Sequence, residues 1–208
     1  GFWLYSRGMA EPADHVRDLM AFIDAGPTPY HAVAEVTRRL QAAGFSELDE
    51  REAWEISPGG RHFVVRGGGT VVAFVAGSSA PSHAGFVLIG AHTDSPNLRV
   101  KPLPEVSSNG YRQLAVEVYG GVIWHTWLDR DLSLAGRVTL TSGDTRLVRF
   151  DRPLCRIPNV AIHLSREVNS AGPQLNAQSH LVPLLGLGEK DDKRSLRGLL
   201  SEALAVDV

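Results

Sequence analysis

His92 and Asp94 stand one residue apart in A-H-T-D, just beyond the apolar run Phe86-Val87-Leu88-Ile89. Neutral imidazole is a good zinc ligand, and a zinc-bound histidine usually hands its other ring N–H to a carboxylate or carbonyl. On extended backbone the side chains alternate with period two, so His92 and Asp94 project to the same face. The pair fits a metal-ligating His92 oriented by Asp94. It also fits a hydrogen-bonded histidine at a polar strand end, followed by a turn aspartate before Pro96. H-x-D by itself does not separate the two.

The element that must position this pair is the run before it. A continuous apolar stretch ending at Gly90-Ala91 reads as a strand covered on both faces, as in a parallel sheet. In open α/β sheets, ligands bind outside the carboxyl ends of such strands. The spacing therefore predicts an imidazole and a carboxylate at a customary place for chemistry.

Before that strand, Val16, Leu19, Met20 and Ile23 recur at helical spacing, predicting a helix over 13–24. Thr28 caps a second helix with Pro29 at its first position, and Val33, Val36, Leu40 and Ala43 form its apolar stripe up to Gly44. His31 near its start reads as a helix-packing residue, and Trp54 as a core anchor. R-H-F-V-V-R and T-V-V-A-F-V, joined by Gly67-Gly68-Gly69, read as a hairpin. No Lys-Ser/Thr follows these glycines, so they are not a phosphate-binding loop.

After Arg99 the texture changes. Pro102, Pro104 and Ser107-Ser108-Asn109-Gly110 mark a crossing between domains. Strands then follow without helical periodicity: Y-R-Q-L-A-V-E-V, G-R-V-T-L-T and T-R-L-V-R-F. An α/β start followed by a β block predicts two domains, 9–101 and 102–208. Trp124 and Trp127 with Asp129, Arg130 and Asp131 read as a buried aromatic pair beside an ionic cluster that fixes a strand crossing. His163 has apolar neighbours and, taken alone, reads as a core or interface residue. Clustered mixed charge between Gly186 and Arg197 reads as a solvated loop, and 195–204 as a last helix. Residues 1–8, G-F-W-L-Y-S-R-G, lack a basic signal-peptide start and read as a tag or leader remnant ahead of Met9, with a native aromatic arm that docks on a neighbour as the alternative.

The chain has 208 residues, 43% hydrophobic and 21% charged, with a formal net charge of -2. Nothing there calls for nucleic acid or an anionic membrane. No apolar run approaches the roughly 18 residues that span a bilayer. A single cysteine, Cys155, excludes an intrachain disulfide and fits a reducing cytoplasm.

The longer stretches A-H-T-D-S-P-N-L-R-V-K and V-Y-G-G-V-I-W-H-T-W-L-D-R-D-L-S-L-A-G-R-V resemble the aspartyl aminopeptidase family, zinc peptidases of the M18 type. P-T-P-Y-H-A-V-A-E, A-G-F-S-E-L, R-I-P-N-V-A-I-H-L and H-L-V-P extend the resemblance from Ala13 to about Pro183. It implies a fold: an α/β catalytic domain with a mixed sheet and flanking helices, here incomplete, interrupted by a mostly-β assembly domain. It implies an activity: removal of an N-terminal residue, Asp or Glu by preference, from peptides in the cytoplasm. His92 would be a zinc ligand and Asp94 its orienting carboxylate. His163 would contact substrate in the partner subunit's site. The complete enzyme would hold two zinc ions and build a tetrahedral dodecamer from dimers. In the implied mechanism metal polarises the scissile carbonyl and a glutamate takes a proton from water.

A hydrolytic zinc centre needs about three or four protein ligands. The family's remaining ligands, among them an adjacent Glu pair, lie in a later segment, and this chain contains no Glu-Glu. The resemblance therefore covers roughly the N-terminal half, and the 208 residues alone are expected to be inactive. The rival reading is a non-catalytic assembly subunit whose β domain makes the contacts. A serine hydrolase would need a G-x-S-x-G elbow, which is absent.

Overall fold

The computed structural model describes residues 11–188 and 195–206. The expected leader at 1–8 and the charged run at 189–194 lie outside the described residues. The chain divides after Asp94 into two compact units.

In the first unit, α1 (Pro12–Ala25) and α2 (Pro29–Ala42) each start with a proline in the first turn, where a missing N–H costs nothing. The Thr28 side chain accepts the His31 N–H and caps α2. Arg39 ties the helices together through Asp18 at 2.8 Å. Three strands form one sheet: β1 (Ser46–Glu47) pairs parallel with β2 (Arg61–Arg66), and β2 pairs antiparallel with β3 (Thr70–Val75). Gly67 and Gly68 both take positive φ, which is why glycines make this turn. Ala32 and Val33 of α2 and Phe63 and Val64 of β2 are buried. The stripe of α1 forms as its spacing predicts, yet Val16, Leu19, Met20 and Ile23 are 56–61% exposed. Trp54 is not a core anchor. It is exposed, donates its indole N–H to the Asp49 carbonyl and stacks on Phe74. A short helix, α3 (Pro81–Ala84), follows.

In the second unit a five-stranded sheet runs in the order β4 (Asn97–Ser108), β5 (Tyr111–Tyr119), β10 (Leu184–Leu187), β9 (Cys155–Arg156), β6 (Asp131–Leu132). The expected boundary at 101/102 falls inside β4, and the expected crossing at 102–110 is a strand and a turn. Asn109 and Gly110 have positive φ and close a two-residue hairpin between Ser108 and Tyr111, as Asn-Gly favours. Pro102 and Pro104 are tolerated because β4 is an edge strand among the described residues and they sit where its register with β5 shifts, between Val100 and Glu105. β7 (Ala135–Thr139) and β8 (Thr145–Arg149) form a separate hairpin. Leu114, Val116, Val148, Cys155, Ile157 and Leu181 are buried. α4 (Val168–Ala171) is a single turn, and α5 (Leu196–Leu204) is capped by the Ser195 hydroxyl.

Candidate active site

His92 and Asp94 meet in the first unit. The His92 Nδ1 lies 2.8 Å from the Asp94 carbonyl oxygen and 3.2 Å from its Oδ1. Both partners are acceptors, so Nδ1 carries the hydrogen and donates. In the neutral ring Nε2 then holds the lone pair, the arrangement a metal-ligating histidine needs. The intervening Thr93 donates its hydroxyl to the Gly69 carbonyl at 3.0 Å. The β2–β3 hairpin thereby holds the motif. The His92 side chain is 83% exposed.

As a zinc site this is one ligand with its orienting group. Among the described residues no group of three or more His, Cys, Asp or Glu is placed to hold a metal. The donor set fits zinc in kind but not in number.

The predicted strand before the motif does not form. Residues 85–96 carry no strand assignment, and Phe86, Val87, Leu88 and Ile89 are 78%, 95%, 87% and 97% exposed. A strand buried on both faces needs neighbours to take its N–H and C=O groups and layers to cover its side chains. Among the described residues no strand pairs with it. The expected buried strand is thus, among the described residues, an exposed apolar segment without a strand partner.

His163 lies in the second unit, on a 3₁₀ turn spanning Ile162–Leu164. It is exposed, as are Val160, Ile162 and Leu164 around it. Of the two settings its apolar neighbours suggest, core or interface, this exposure excludes the core of this chain. Those neighbours form an exposed arm that leaves the sheet after Ile157, which is 1% exposed. Behind the arm lies a cavity of about 590 Å³ lined by Leu128, Pro158, Val160, Leu164, His180 and Leu184, among others.

The Trp124–Asp131 block sits beside the root of this arm. Trp124 and Trp127 bound a 3₁₀ turn, and Trp124 is exposed, so they are not a buried pair. The ionic cluster uses Arg156: it reaches Asp131 Oδ1 at 3.4 Å and donates to the Asp129 carbonyl at 2.6 Å. Asp129 donates its N–H to the Ile157 carbonyl at 2.8 Å and accepts the Asn159 N–H on Oδ1 at 3.0 Å. The roles of Arg156 and Asn159 were missed in sequence. R-I-P-N was the available signal, since arginine and asparagine flank the residues that leave the sheet. His31 contacts Thr28 Oγ1 through Nδ1 at 2.7 Å and serves the α2 cap. Burial pushes the Cys155 thiol up to about 11, so it is no nucleophile.

Set beside known proteins, residues 22–205 match the family described as aminopeptidase I zinc metalloprotease (M18). A "Probable M18 family aminopeptidase 2" of Streptomyces coelicolor is 53% identical over 175 residues, covering 84% of this chain and 40% of that protein. A protein of the same name from Pseudomonas paraeruginosa is 49% identical over 189 residues, covering 89% of this chain and 44% of its own length. The chain thus spans about two fifths of the curated relatives it matches. Among solved structures, a chain of the Ape4 and Nbr1 complex superposes with a TM-score of 0.84 at 40% identity, over 99% of this chain and 42% of that one. The mApe1 of Chaetomium thermophilum superposes with a TM-score of 0.80 at 31% identity, over 94% of this chain and 48% of that one.

Proposed function

Because the chain belongs to the M18 family of aminopeptidase I zinc metalloproteases, we propose that it forms the N-terminal part of a zinc aminopeptidase acting on peptides with an N-terminal Asp or Glu. The observation that carries the reading is the His92–Asp94 contact, with Nδ1 donating and Nε2 left for a metal. Zinc, when bound, polarises a scissile carbonyl and lowers the pKa of water. This chain's contribution is to present the His92 lone pair, with Asp94 holding the ring's orientation and tautomer. The other ligands and the general base belong to the three fifths of a family-length protein that this chain does not span. The same part would supply the cover that Phe86–Ile89 demands.

We further propose that the second unit mediates homo-oligomerisation; the mApe1 of Saccharomyces cerevisiae, a structural neighbour, is a dodecamer. In that assembly His163 would reach substrate in the partner subunit's site, and its exposed position on an apolar arm supports this role. The working location would be the cytoplasm.

The test is hydrolysis of Asp-, Glu- and Leu-terminated chromogenic substrates by the family-length protein, with zinc content measured alongside. Zinc-dependent cleavage favouring the acidic substrates is expected. Leu cleaved as well as Asp would sink the specificity. No zinc and no cleavage would favour the rival, a non-catalytic assembly subunit.

A further inference from the structure

We propose that Asp129 is the positioning residue for His163, which it serves by fixing the course of the arm from Ile157 to Leu164. This rests on the reading of His163 as a group that meets substrate. Three polar groups of Asp129 are engaged at the root of the arm. Its N–H donates to the Ile157 carbonyl at 2.8 Å, its Oδ1 accepts the Asn159 N–H at 3.0 Å, and its carbonyl accepts from Arg156 Nη2 at 2.6 Å.

Packing does little to hold the arm. Ile157 is its last buried residue, Pro158 to Leu164 are exposed, and the space behind them is the cavity of about 590 Å³. A segment without a packed floor takes its direction from the hydrogen bonds at its root. The chain accepts a local conflict there: Asp129 has φ 55°, a conformation that non-glycine residues seldom adopt. Asn159 continues the arrangement by accepting the Val160 N–H on its own Oδ1 at 2.9 Å. Two residues further on the His163 turn begins. The Asp129 carboxylate, through Asn159, would in this way set where the imidazole stands.

The test uses the complete oligomeric enzyme with Asp129→Gly, which removes the carboxylate while suiting the positive φ, and Asp129→Asn, which keeps an acceptor oxygen. An imidazole displaced by about 1 Å can cost about 10²-fold in turnover. Asp129→Gly should therefore lower kcat by about 10–100-fold, with KM, zinc content and particle size unchanged. Asp129→Asn should recover most of the loss. In a His163→Ala background Asp129→Gly should cost nothing further, because a residue that acts through another is not additive with it. An equal cost in both backgrounds would make Asp129 a general structural residue and overturn the proposal, as would no cost in either.

Hydrogen exchange over 157–164 separates this from the reading beneath it. Asp129→Gly should speed that exchange, and unchanged exchange overturns the proposal whatever the kinetics. If His163→Ala alone keeps full turnover, the substrate role of His163 has failed. Faster arm exchange in Asp129→Gly would then leave the anchoring intact but remove its catalytic consequence.

Discussion

The Nδ1 of His92 is held by its neighbour two residues on, 2.8 Å from the Asp94 carbonyl oxygen and 3.2 Å from Asp94 Oδ1. Two acceptors on one ring nitrogen leave Nε2 as the free lone pair. In the family-length protein His92→Ala should abolish zinc-dependent turnover. Asp94→Asn should keep the backbone acceptor, weaken the orientation and cost about 10–100-fold in metal affinity or activity. Zinc content and kcat on the same preparations check both. Full activity of His92→Ala would refute the metal role.

His163 makes a claim about assembly. His163→Ala should keep zinc and particle size but lose turnover by about 10²–10³-fold, the usual cost of removing one donor to a developing oxyanion. Mixing it with His92→Ala should restore part of the activity, since a mixed dimer can hold one site with both histidines. Demonstrated subunit exchange without recovery would exclude a role across the interface.

The exposed run Phe86–Ile89 and the exposed stripe of α1 predict how the 208 residues behave when expressed alone. Apolar surface of this kind drives association. The chain should self-associate by light scattering and bind a hydrophobic dye, and Val87→Lys with Ile89→Lys should reduce both. A clean monomer that binds no dye would contradict this.

Glu35 gives a pH prediction. Hydrogen bonds from Arg38 and Arg39 hold its carboxyl down from 4.5 to about 2. The folded value lies below the unfolded one, so the stabilisation is complete above about pH 4.5 and is lost as the pH falls towards 2. The arginines are solvent-accessible, so Glu35→Gln should cost only about 0.5–1 kcal/mol at pH 7. It should also flatten the acid limb of the denaturation midpoint. An unchanged limb would show that the pair does not contribute.

Burial raises the Cys155 thiol to about 11, and it is the single cysteine. Alkylation at pH 7.5 should run at least about 10²-fold slower in the folded chain than in urea, since the thiolate is the nucleophile. Labelling at equal rates would place the thiol in solvent.

Much of the local structure was legible because its causes are local. Thr28-Pro29 set the start of α2, the glycines at 67–69 set the β2–β3 turn, and alternation set β5, β7 and β8. β4 was less legible. Pro102 and Pro104 argue against a strand unless the strand is known to be an edge with a shifted register, and only its pairing with β5 reveals that.

The sequence by itself determined residue chemistry and short-range geometry: an imidazole two residues before a carboxylate, an apolar run that demands burial, and a family-wide order of motifs. Tertiary structure decided what depends on partners distant along the chain. Phe86–Ile89 is exposed because strand pairing is non-local and no strand among the described residues provides it. His163 is exposed despite its apolar neighbours because hydrophobicity states a preference for burial without naming what will bury it. Asp129 sits at the root of the His163 arm because the sheet brings residues 129 and 159 together, a contact that thirty residues of intervening chain conceal from any local reading.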